Sequence, residues 1–144
     1  MLKNLVIVLF LAVAFVSCQK DEVNELKEQK TNVSLKKNYS SLVFFDEYPY
    51  MNDFGVGEMI FCYEQDEKTV YVYGNTQEVL DYLVEHFIIT QEEANLLLDV
   101  CVSEKIRYIG RDRSKALNEL ERLNGLGKKV HLETWLGFYI IIER

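Results

Sequence analysis

"MIFCYEQDEKTVYVYGN", Met59 to Asn75, is the stretch whose reading decides the fold. Two runs rich in β-branched and aromatic residues, Met59–Tyr63 and Thr69–Tyr73, flank the acidic segment Glu64–Lys68. That pattern predicts an antiparallel hairpin with a five-residue loop. Alternation places Ile60 and Cys62 on one face of the first strand, and Phe61 and Tyr63 on the other. The returning strand separates Val70 and Val72 from Tyr71 and Tyr73. If like faces align, one side of the hairpin is aliphatic and the other aromatic.

Working outward toward the C-terminus, Asn75 caps a helix with Glu78 at the capping-box position. Its apolar stripe is Val79, Leu80, Leu83, Val84 and Phe87, while Glu78, Asp81 and Glu85 sit away from it. A second capping box, Thr90 with Glu93, opens a helix through about Val102, with Ala94, Leu97, Leu98 and Cys101 inward. KIRYIG (Lys105–Gly110) reads as a strand. Ser114 to about Asn124 is a third helix, with Leu117, Leu120 and Leu123 inward and Gly125 as its stop. KVHLE and LGFYIIIE close the chain as one or two strands, the latter buried. Toward the N-terminus, SLVFF (Ser41–Phe45) is a further strand. The predicted fold is α+β: a small mixed sheet, the hairpin plus later strands, packed against about three helices.

Before this domain the chain has a different character. Lys3 precedes an unbroken apolar run, Leu5–Val16, that is shorter than the roughly 20 residues of a membrane-spanning helix. A basic start, a short apolar run and the small residue Ser17 are the parts of a secretory signal. Phe15-Val16-Ser17-Cys18 resembles the lipobox of bacterial lipoproteins, with phenylalanine in place of the usual leucine. The resemblance implies that Cys18 becomes the acylated first residue of the mature chain. Ordinary cleavage after Ala12-Val13-Ala14 is the competing reading. Gln19-Lys20-Asp21-Glu22 is similar to the lysine-and-acid tag that sends lipoproteins to the outer face of the outer membrane in some Gram-negative lineages. A periplasm-facing position on that membrane is the alternative. The implied division is residues 1–17 as signal, 18–38 as lipidated N-terminus and polar tether, and 39–144 as one α+β domain. A flexible tether of that length would hold the domain about 25 Å from the membrane.

The full chain carries a net charge of −7; loss of residues 1–17 removes only Lys3 and leaves −8. The charge is uneven. Between Asp46 and Glu104 stand fourteen Asp/Glu and one base, Lys68; between Lys105 and Val130 stand eight Lys/Arg and three acids. Net acidity disfavours nucleic acid and anionic lipid as partners, whereas an acidic lobe can steer a basic protein.

Catalytic signatures are missing. His86 and His131 form no metal-ligand pattern, Cys62 and Cys101 lack zinc-type spacing, and no G-x-S-x-G occurs. His86 reads as a helix cap. GLGKK (Gly125–Lys129) follows a helix instead of preceding one and reads as a stop, not a phosphate loop. No cofactor is implied. Cys62 and Cys101, outside the cytoplasm, are either a disulfide pair or two buried thiols. YPYMNDFGVGEM (Tyr48–Met59) gathers Tyr48, Tyr50, Met51 and Phe54 beside the chain's single proline, Pro49. Rings exposed on a loop, with Tyr63, Tyr71 and Tyr73 nearby, would make a recognition surface; a second layer covering them would make them core.

Three functions are compatible with these features. The first is a non-enzymatic lipoprotein that binds a protein, as an immunity or inhibitor protein does, through Glu78, Asp81 and Glu85. The second is a glycan- or nutrient-capture module using Tyr48, Tyr50 and Phe54. The third is an enzyme of unrecognised type.

Overall fold

In a computed structural model, residues 38–50 and 53–144 are described. The lipobox around Cys18, the tether and Met51 lie outside the described residues. The sheet and its helices belong to one compact unit, Tyr39–Arg144.

The centre of that unit is the hairpin of β2 (Glu58–Gln65) and β3 (Lys68–Asn75). The turn is not the five-residue loop expected. Gln65 pairs with Lys68, leaving only Asp66 and Glu67 between the strands, at φ 50° and 62°. Positive φ at both central residues is the type I′ geometry, whose twist suits a two-residue hairpin better than a wider loop does. The tighter turn moves the register. A loop spanning Glu64–Lys68 would oppose Ile60 to Val72 and Phe61 to Tyr71, segregating aliphatic from aromatic side chains. Instead Phe61 opposes Val72 and Ile60 opposes Tyr73, so both faces are mixed.

Around this hairpin grows a six-stranded mixed sheet in the order β1-β3-β2-β4-β6-β5, so the chain is an α+β domain. The short edge strand β1 (Val43–Phe45) pairs with β3, and β4 (Lys105–Gly110) lies parallel to β2. β5 (Val130–Trp135) and β6 (Phe138–Glu143) form a second tight hairpin through Leu136 and Gly137, both at positive φ. β6, paired on both sides, carries the buried run Ile140–Ile142.

Helices cover both faces. α1 (Thr76–Glu85) and α2 (Gln91–Cys101) bury Val79, Leu80, Leu83, Ala94, Leu97 and Cys101 against Met59, Phe61, Val72, Ile106, Phe138 and Ile140. α3 (Arg113–Gly125) lies on the opposite face, where Ala116 and Leu123 join Tyr48, Ile60, Cys62, Tyr71, Tyr108 and Ile141. The Thr90–Glu93 capping box is complete: Glu93 N–H donates to Thr90 Oγ1 at 3.1 Å and Thr90 N–H to Glu93 Oε2 at 2.9 Å. At α1 the N-cap bond forms but neither bond of the expected box does. Asn75 Oδ1 accepts from Gln77 N–H, while the Glu78 carboxylate accepts from the Ser41 hydroxyl.

α3 is rotated from its expected pose. Ala116 and Glu119 face inward with Leu123, whereas Leu117 is exposed. Its stop also moves: Gly127, at φ +77°, is the left-handed residue, with Gly127 N–H bonded to Asn124 O and Lys128 N–H to Leu123 O. Both bonds of the Schellman motif are present, so the terminating glycine is Gly127, not Gly125.

Glu119 is buried, its Oε2 has no hydrogen-bond partner, and its Oε1 is 3.8 Å from Arg122 Nη1. Burial pushes its carboxyl pKa up, against the smaller downward pull of Arg122. A folded-state pKa above the unfolded one means that ionised Glu119 costs stability above that pKa, and that the cost vanishes below the unfolded value. Glu119→Gln is therefore expected to raise Tm near pH 7. The gain should shrink toward about pH 4, where the native carboxyl also holds its proton. Thermal melts of both proteins across that range check it.

Candidate functional site

The residues singled out in the sequence fall on two opposite faces of the sheet. Glu78, Asp81 and Glu85 lie on α1. Asp81 accepts from Gln77 Nε2 at 2.9 Å, and Glu85 is hydrogen-bonded to Tyr39. Beside them Tyr82 meets Tyr39 edge-on at 5.4 Å and Phe44 at 5.1 Å, and His86 stacks on it at 3.9 Å. His86 caps α1 as expected, its Nδ1 2.8 Å from Tyr82 O.

The Tyr48–Phe54 loop packs on the α3 side. Its rings are not uniformly exposed. Tyr48 is buried at 5% exposure, donates its hydroxyl to Arg107 O at 2.8 Å, and packs edge-on against Tyr71. Burial raises its phenol pKa to about 12. Phe54 lies against Tyr73 at 5.0 Å, with the Arg107 guanidinium 4.1 Å above its ring. Only Tyr50 keeps substantial exposure, at 42%. Tyr71 and Tyr73 lie on this same face and meet Tyr48 and Phe54, whereas Tyr63 lies on the other, so the rings join the loop largely as packed core and Tyr63 is not among them.

Arg107 organises that arrangement. A register irregularity in β4 between Ile106 and Tyr108 lets Arg107 and Tyr108 both turn toward the α3 side, so an arginine from an apolar strand enters the core.

Cys62 and Cys101 belong to clusters on opposite faces of the sheet and are both free thiols, so the disulfide considered for them does not form. Burial raises the pKa of each, that of Cys101 to about 12, which keeps the sulfurs protonated and unreactive at neutral pH. His131 is paired to Glu133 on β5, at the sheet edge. Among the described residues, no group of three or more His, Cys, Asp or Glu side chains is placed to hold a metal ion.

A concavity of about 730 Å³ opens at the carboxyl ends of the parallel neighbours β2 and β4. β2 leaves this edge for β3, and β4 leaves it for α3, so the crevice between them stays uncovered. Gly110 ends β4 here. A Cβ at that position would lie 2.8 Å from Tyr108 Oη and 2.9 Å from Cys62 O, so only glycine fits the turn. Phe61, Tyr63, Phe87 and Ile88 supply apolar walls, and Arg111 and Lys115 stand at the α3 end. Lys115 pairs with Glu64 and donates to Thr69 Oγ1; Arg111 Nη2 bonds Glu93 Oε1 at 2.8 Å.

Phe87 departs most from expectation. Placed by periodicity in the apolar stripe of α1, it is instead 95% exposed, at φ +58°. α1 ends in a Schellman motif, with Phe87 N–H bonded to Val84 O and Ile88 N–H to Leu83 O, and Phe87 occupies the left-handed position that glycine normally fills. That backbone conformation costs a bulky residue on the order of 1–3 kcal/mol. The sequence signal was the missing glycine after Glu85-His86, at a place where a helix must stop.

No family model, curated protein or solved structure matches this chain.

Proposed function

We propose that this chain is a lipid-anchored binding module of the outer membrane, acting without catalysis, and that its partner is a basic protein. In this reading acylated Cys18 fixes it to the membrane, with the domain displayed at the cell surface, and it works as an immunity or inhibitor protein does. The observation that carries the reading is the segregation of charge across the sheet. α1 and α2 hold six Asp/Glu and no Lys or Arg, whereas the opposite layer, residues 111–129, holds six Lys/Arg and three acids. A single-sign layer attracts an oppositely charged surface over about a Debye length and raises association rates in a salt-dependent way.

The experiment is affinity capture from envelope and secreted fractions of the source cells, at low and high salt, with a charge-reversed control. The combined variant Glu78→Lys, Asp81→Lys and Glu85→Lys should keep its circular dichroism spectrum and lose at least tenfold in affinity for the captured basic protein. Unchanged binding by that variant rules out the acidic layer as the contact surface.

A further inference from the structure

We propose that the cleft at the carboxyl ends of β2 and β4 is a binding site for a small amphipathic anion, a ligand with an apolar body and a carboxylate-like head, and that Phe87 is its outer wall. Two independent observations meet there. The first is the cleft itself. Its volume suits a ligand of a few tens of atoms, and its lining combines apolar walls with polar side chains, of which Arg111, Asp112 and Lys115 stand at the α3 end and Gln65 and His86 elsewhere. The second is Phe87. Its ring is almost wholly exposed and its backbone strained, so the fold gains nothing from an aromatic side chain that glycine would better at this position. The ring stands between the cleft and a shallower hollow of about 470 Å³ lined by Val84, Ile89 and Gln91, and borders both. A ligand body lying along Ile88 and Tyr63 would cover it.

The head-group preference comes from which polar groups remain open. Each carboxylate on the wall already holds donors on one oxygen: Glu64 Oε1 accepts from Lys115 and Thr69, and Asp112 Oδ1 caps α3 by accepting from Lys115 N–H at 3.0 Å. Arg111, 58% exposed at its side chain, gives Nη2 to Glu93 and has further N–H groups to offer. α3 begins beside it, and the positive end of its dipole adds to the field an anion would meet. An incoming anionic head therefore finds open donors on Arg111, beside carboxylates that are already partly neutralised by Lys115.

The test uses the full chain in phosphatidylcholine nanodiscs and a fluorescent fatty acid, dansylaminoundecanoate, with the signal of empty discs subtracted. Decanoate, decanol and decyltrimethylammonium, which share a tail and differ in head, serve as competitors. One saturable site per chain is expected, displaced by decanoate at least tenfold more effectively than by the ammonium compound. Phe87→Gly should weaken the probe at least tenfold while melting no lower than the parent, which separates loss of the wall from loss of the fold. Arg111→Gln should abolish the preference for decanoate over decanol. Absence of a saturable component, equal competition by all three heads, or unchanged binding by Phe87→Gly would each overturn the proposal. A Phe87→Gly protein that melts lower overturns it too, because the ring would then be serving the fold.

Discussion

Replacing Arg107 by alanine is expected to lower the unfolding free energy by about 3–5 kcal/mol, the range seen when one member of a buried charge network is removed. The guanidinium is 1% exposed and touches several groups. Nη2 donates to Tyr50 O at 3.3 Å, the cation lies over the Phe54 ring, and Nε is 3.6 Å from Glu143 Oε2. Alanine removes these contacts and opens a cavity beside Tyr48 and Phe54. Glu143 is spared part of the effect, since Lys128 Nζ stands 3.5 Å from its other oxygen. The Tyr48 hydroxyl also keeps its acceptor, which is the backbone carbonyl of residue 107 and not the side chain. The loss should therefore appear first as loosening of the loop. Urea denaturation gives the energy, and limited proteolysis between residues 46 and 57 gives the location. Arg107→Met restores most of the volume without charge and should recover part of the loss. If alanine costs less than about 1 kcal/mol, a value ordinary for surface sites, the clamp is not structural.

This loop also shows how far sequence reading reaches. Hairpin, three helices and a buried C-terminal strand are legible because burial imposes periods of 2 and 3.6 on side chains, and Thr90 with Glu93 marks a helix start by side chains that bond their own backbone. What escapes is whatever depends on registers set elsewhere. The Asp66-Glu67 turn displaces the hairpin pairing by one residue and so decides which rings meet, a consequence of turn conformation more than of composition. The β4 irregularity turns Arg107 inward, and an arginine in KIRYIG otherwise reads as a solvent-facing residue of a half-buried strand. Cys62 and Cys101 are each inward-facing as expected; that they are inward on opposite faces becomes visible only when α2 and β2 are assigned their sides. The cleft was illegible for the same reason. It is made by β2 and β4 lying side by side and parallel, although 39 residues of chain separate the end of β2 at Gln65 from the start of β4 at Lys105.

Phe138→Ala is expected to cost about 3–5 kcal/mol, and its effect should reach the cleft. Phe138 is fully buried at the start of β6, beside the tight turn through Leu136 and Gly137. Its ring meets Phe61 edge-on at 5.9 Å, and the Arg111 guanidinium lies 4.6 Å from its centre. Phe61 and Arg111 both line the cleft, so one side chain supports its apolar wall and its cationic end together. Truncation leaves a void that a six-stranded sheet can close only by shifting β6 against β4, and the tight β5–β6 turn resists that shift. Phe138→Leu keeps most of the volume and the apolar contact with Phe61 while removing the aromatic face under Arg111, so it should cost less, about 1–1.5 kcal/mol. The pair of variants thus separates packing from positioning. Equal losses in urea melts would mean that the aromatic face matters as much as the volume. A leucine variant near native stability would assign the energy to filled space, leaving Arg111 held mainly by its bond to Glu93.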